Sequence, residues 1–272
     1  MKRMTLGAGV VLVLLLTGCN DDNTLTPGDP ADPSFQSFQQ EFGNIDETTQ
    51  SMMETSFEVI GDILDGPTAT ENPSFQGITY TLDYNETAQF WVAHLVLDDE
   101  AGTVATFAES LQFVAAGHPV QYPEIGTLDM VRSFLTVEVN GPAGSASGFQ
   151  NLTAVPHVQE TGIFVTLNGT GGLEGTFTHS ATDANGTTDC SVDASFATTV
   201  SQLVVNTNEA ASHCPLSGSI THNGNLHVLC TGAHPGEFDG HWTVTAAFEN
   251  GTATVSCMSG GNVWHYTAPC EE

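Results

Sequence analysis

The chain has 272 residues and carries 32 Asp and Glu against three Lys and Arg, a formal net charge of −29. So few cations exclude direct binding to a nucleic-acid backbone, which needs clustered Lys and Arg to displace counterions. They argue equally against adsorption to bare anionic lipid headgroups.

Lys2 and Arg3 precede an apolar run over residues 6–16 that ends in Leu16-Thr17-Gly18-Cys19. A spanning helix needs roughly 20 apolar residues, so this run reads as the core of a signal peptide covering residues 1–18. Leu-Thr-Gly-Cys resembles the lipobox of bacterial lipoproteins. That resemblance, confined to residues 1–19, implies diacylation of Cys19, cleavage before it and acylation of its amine. In Gram-negative members of this class an aspartate just after the cysteine favours inner-membrane retention. Asn20 holds that position here, which favours the outer membrane. The expected location is the bacterial cell envelope, reached through a lipid anchor. Loss of Lys2 and Arg3 leaves Arg132 alone against the 32 carboxylates, a balance of −31.

Residues 19–33 then read as the lipidated cysteine and a disordered tether rich in Asp and Pro, with almost nothing apolar to bury. The remainder, 34–272, is long enough for a substantial core. Phe35, Phe38, Phe42 and Ile45, then Met53, Phe57, Ile60 and Leu64, fall at steps of three and four and predict a helical segment over 34–65. Asn44 with Glu47 makes a capping box for its second half, and Gly66-Pro67 stops it.

Residues 76–130 read as mixed α/β. Segments 78–84 and 88–97 predict a strand pair, the second nearly continuous in apolar residues and so expected to be buried on both faces, with His94 a hydrogen-bonded core histidine. Val104, Phe107, Ala108, Leu111, Val114 and Ala115 return to helical spacing, predicting a helix over 103–116 that Gly117 and Pro119 end.

From 131 onward the pattern is a β-meander, rich in Thr and Val and punctuated by Asn140-Gly141, Asn168-Gly169, Asn185-Gly186, Asn223-Gly224 and Asn250-Gly251. Asn-Gly is a strong hairpin signal because both residues tolerate positive φ. Folding about Asn250-Gly251 pairs Phe248 with Ala253, Ala246 with Val255 and Val244 with Cys257, gathering apolar residues on one face. A three-residue loop at Asn223 gathers Leu216, Ile220, Leu226, Val228 and Cys230, leaving His227 outward with Ser219 and Thr221. The Asn-x-Thr sites, Asn85 and Asn151 among them, read as turn chemistry rather than glycan acceptors.

With Cys19 assigned to lipid, five cysteines remain in an oxidising compartment, enough for two bridges at most. The meander with its hairpin at Asn223 puts Cys214 near Cys230 and Cys190 near Cys270, leaving Cys257 as a buried free thiol. Cys257 with Cys270 is the rival pairing. His213, Cys214, His222, His227, Cys230, His234 and His241 are dense, but neither Cys-x-x-Cys nor His-Glu-x-x-His spacing occurs, so no metal is expected. The acidic turns around Asp98 and Asp183 lack a complete calcium loop. Gly144-Ser145-Ala146-Ser147-Gly148 has Ala146 where a nucleophile elbow needs serine, and no catalytic residue or cofactor is expected.

The expected class is α+β, β-dominant, with the N-terminal helical segment packed on a mainly antiparallel meander sheet or partly open barrel. The function this suggests is a non-catalytic cell-envelope lipoprotein presenting a β-rich surface to a protein or extracellular partner. The alternative is a carrier holding an apolar ligand in a β-cup. A third reading, a hydrolase, requires a concave cluster of His and carboxylates that linear spacing does not reveal.

Overall fold

The computed structural model describes residues 26–28, 78–98, 102–159, 162–183, 185–206, 215–249 and 252–269. Cys19, the helical segment expected over 34–65, Cys214 and Cys270 lie outside the described residues. The strands are β1 (Thr26–Pro27), β2 (Ile78–Asn85), β3 (Phe90–Asp98), β4 (Val104–Ala115), β5 (His118–Val120), β6 (Leu128–Gly141) and β7 (Gly144–Gln159). They continue with β8 (Gly162–Asp183), β9 (Gly186–Asn206), β10 (Ser217–Gly232), β11 (Gly236–Glu249), β12 (Thr252–Ser259) and β13 (Asn262–Pro269).

All belong to one open sheet, in which sequence neighbours are mostly spatial neighbours: β1-β13-β12-β11-β10-β9-β8-β7-β6-β4-β3-β2, with β5 beside β4. Every pairing is antiparallel except that of β1 with β13. β-dominance and the antiparallel meander are therefore as expected. The described residues contain no α-helix, only a 3-10 turn at Ile125–Thr127. Part of the expected disordered tether is also strand. β1 lies along the edge of β13, where Gly28 N–H donates to the Val263 carbonyl at 2.8 Å, satisfying an edge acceptor that would otherwise face solvent.

Period-two burial organises the molecule. Along β9 and β10 alternate side chains are buried, and one contiguous core runs from Trp91 on β3 to Tyr266 on β13. Leu135, Leu203, Leu226 and Val255 are fully buried, each contributing about 1.5–3 kcal/mol of apolar transfer. Trp242, 1% exposed, packs against Trp264 at 5.6 Å and Phe238 at 5.9 Å between ring centroids.

The helix expected over 103–116 is instead β4, whose inward positions are Phe107, Glu109, Leu111 and Phe113. Glu109 explains the misreading. A buried carboxylate at a core position interrupts the apolar alternation in sequence, and the remaining apolar residues fit a helical stripe. Ser133 Oγ, also buried, donates to Glu109 Oε1 at 2.6 Å. The strand pair β2–β3 forms as expected, but β3 is buried on one face only: Trp91 and Ala93 are buried and His94 is exposed. β3 lies one strand from the sheet edge, so its outward face meets solvent. The hydrogen-bonded core histidine is His222, not His94.

Two Asn-Gly pairs expected to be turns sit inside strands. Asn223-Gly224 lies in the middle of β10, where Asn223 Nδ2 donates to Thr243 Oγ1 at 2.7 Å. A Cβ on Gly224 would stand 2.0 Å from the Ser195 carbonyl oxygen and 2.6 Å from Phe196 Cα, so glycine permits close approach of β9. Asn168-Gly169 lies within β8, and Asn168 Oδ1 accepts from Gln202 N at 2.8 Å and Gln202 Nε2 at 2.9 Å. These bonds hold a bulge in β9 where Gln202 has φ of 48°. Across the Asn250 hairpin the expected register holds, with Phe248 opposite Ala253, Ala246 opposite Val255 and Val244 opposite Cys257. The Asn85 site is also a turn, its Oδ1 accepting from Ala88 N at 2.9 Å.

Because β10 runs straight through Asn223, Cys230 is carried to the opposite end of the sheet from where a hairpin would leave it. It lies directly across from Cys190 on β9, and the two form a disulfide with Cα atoms 4.1 Å apart. This bridge replaces both expected pairings, Cys214–Cys230 and Cys190–Cys270.

Candidate functional site

The outward face of β6 to β10 carries polar side chains in cross-strand rows. One row reads Glu138, Ser147, Glu174, Ser195, Asn225, and the next Asn140, Ser145, Thr176, Asp193, His227. Neighbours stand about 5 Å apart across strands and about 7 Å apart along them. Together they line an open groove of about 560 Å³, within the size range of ligand sites.

The groove is firmly held because the residues between its lining positions point into the core. On β10, Leu226 and Val228 are buried either side of His227; on β9, Val192, Ala194 and Phe196 alternate with Asp193 and Ser195. Thr176 Oγ1 donates to Asp193 Oδ1 at 2.6 Å, fixing one carboxylate across the β8–β9 pair. Asn225 Oδ1 meets His241 Nδ1 at 2.9 Å at the β11 side. Carboxylates only accept hydrogen bonds, whereas Ser, Thr and Asn both donate and accept, so the groove has an excess of acceptors. Arg132 is the sole Lys or Arg among the described residues. It lies six residues from Glu138 on β6, about 20 Å along the strand, and donates to Gln112 Oε1 at 3.1 Å.

The groove brings a histidine and carboxylates together, as a hydrolase would require. Among the described residues, however, no hydrogen bond joins His227 to the serines or carboxylates around it. Ser145 and Ser147 lie on the regular strand β7, not on a strand-to-helix elbow.

The other histidines and cysteines singled out in sequence disperse. His222 is buried, with Nδ1 and Thr198 Oγ1 2.9 Å apart, and burial lowers its pKa to about 4. His234 follows β10 and His241 faces outward on β11. Among the described residues no three His, Cys, Asp or Glu side chains converge to hold a metal ion. Cys257 is a buried free thiol on β12. Burial pushes its pKa up to about 12, against a hydrogen bond with Tyr266 that pulls it down.

Of the groove residues, sequence reading placed only His227 on the outward face. Glu138, Glu174 and Asp193 were lost among many acidic residues, and their juxtaposition depends on the register of five long strands. The alternation within each strand was the available signal; it gives the face but not the row. Comparison with protein-family models, with characterised proteins and with solved structures finds no match to this chain.

Proposed function

We propose that this chain is a non-catalytic lipoprotein of the bacterial cell envelope, anchored through Cys19, that presents the outward face of its sheet as a binding surface with the β6–β10 groove as its centre. The observation that carries this reading is the division of labour between the faces. The polar groove lies outside, while the inward side chains, including Trp242, Leu135 and Leu203, pack into one core. A carrier would need those inward apolar residues to line an emptied cup.

The test uses membranes from cells expressing the full chain. Ser147→Cys should label with a maleimide without unfolding, Leu152→Cys on the same strand should resist labelling, and Cys19→Ser should leave the membrane fraction or accumulate unprocessed. Unchanged detergent partitioning of Cys19→Ser would sink the anchor, and equal labelling of the two introduced thiols would sink the presenting face.

A further inference from the structure

The groove's chemistry narrows what it takes. Glu138, Glu174 and Asp193 can only accept hydrogen bonds, and Ser145, Ser147, Ser195, Thr176, Asn140 and Asn225 accept as well as donate. An occupant must therefore be rich in donors, and an anion or a bare hydrocarbon is excluded by charge and desolvation. Two donor-rich classes remain, a cation and a polyhydroxyl compound.

The spacing separates them. Glu138 and Glu174 stand two strands apart with Ser147 between them, and Asp193 is already held by Thr176. The carboxylates are thus interleaved with neutral hydroxyls rather than gathered about one point, and no three His, Cys, Asp or Glu side chains among the described residues converge to hold a metal ion. Such a row suits a ligand whose own donors and acceptors alternate along its length.

A second observation is the aromatic border. Phe149 lies one position along β7 on the same face as Ser147, is 46% exposed, and lies over Gly172 of β8. A Cβ there would stand 2.7 Å from Phe149 Cε1, so the glycine lets the ring spread across the strand beside Glu174. Phe134, 47% exposed, occupies the diagonal position on β6. Exposed aromatic faces flanking a polar groove fit a molecule with an apolar C–H face and a rim of hydroxyls.

From the groove and this border together we infer that the outward face binds a neutral glycan, its hydroxyls bonded along the Glu138–Asn225 row and one sugar face resting on Phe149. This rests on the reading of the outward face as the binding surface. Five strands span roughly 19 Å, room for an oligosaccharide rather than a single sugar.

The test is calorimetric titration of the full-length chain, solubilised in a non-glycosidic detergent, with the hexaoses of cellulose, xylan, mannan, starch and chitin, and with tetralysine and spermidine as cationic controls. At least one hexaose should bind with an affinity that high salt leaves nearly unchanged. Phe149→Ala and Glu174→Gln should each weaken it by about tenfold or more. Glu174→Gln keeps the side chain's size at an exposed position, so its effect does not pass through folding. Binding of tetralysine or spermidine alone, lost on adding salt, would overturn the glycan and leave the groove a binding surface for a cationic partner. Absence of binding by every hexaose, or hexaose binding indifferent to both substitutions, would overturn it as well. If Ser147→Cys also resists labelling in membranes, the presenting face itself has failed.

Discussion

On β10, the inward and outward positions of one strand perform different tasks. Ile220, His222, Gly224, Leu226 and Val228 point inward and are buried, while Ser219, Thr221, Asn223, Asn225 and His227 point outward. The inward set is close-packed and intolerant of changed volume. The outward set touches mainly its cross-strand neighbours, as in the hydroxyl contact of Thr221 with Thr245 at 3.1 Å. In an antiparallel meander, stability and recognition can therefore be tuned almost independently, because the pleat separates them residue by residue.

The most forceful way to break this contrast is at the centre of the aromatic core. Trp242→Ala should cost about 3–5 kcal/mol, whereas Asn225→Ala, on the neighbouring strand's outward face, should change stability by about 0.5 kcal/mol or less. Urea unfolding of both variants measures the difference; comparable losses would mean that the faces are not distinct. Next in size is the Cys190–Cys230 bridge, which closes a sequence separation of 40 residues. Its removal in a Cys190→Ser, Cys230→Ser double variant should cost about 2–4 kcal/mol. A non-reducing digest of the wild-type chain should yield the linked peptide pair, and a Cys214–Cys230 peptide would contradict the uninterrupted path of β10.

The smallest of the three effects sharpens the comparison through pH. His222 is 4% exposed, and burial lowers its pKa from 6.5 to about 4. The unfolded chain therefore binds the proton more readily than the folded one. The stability associated with neutral His222 is complete above about pH 6.5 and is lost as pH falls towards 4, by up to about 3 kcal/mol. His222→Gln should flatten that part of the pH–stability curve. An undiminished slope in that variant would contradict the assignment.

The legible parts of this fold were those decided within one strand or one tight turn. The register around Asn250-Gly251 followed from alternation alone, whereas the outward placement of His227 was reached through a three-residue loop at Asn223 that the continuous strand β10 replaces. Identical dipeptides elsewhere misled because their causes are non-local: Gly224 serves the close approach of β9, and Asn168 holds a bulge around Gln202. β4 was misread because Glu109 is buried with Ser133 as its hydrogen-bond partner, a compensation that lies 24 residues away. The groove needed more still, since Glu138 and His227 share it only after the registers of β6 to β10 are combined.

The most direct test of the division between a filled interior and a presenting exterior is native mass spectrometry of the full-length chain, released from detergent in the gas phase. The account predicts the mass of the processed, lipidated protein with no further apolar molecule bound. A stoichiometric co-purifying lipid beyond the covalent anchor would contradict it and make the interior, not the outward groove, the working part of the molecule.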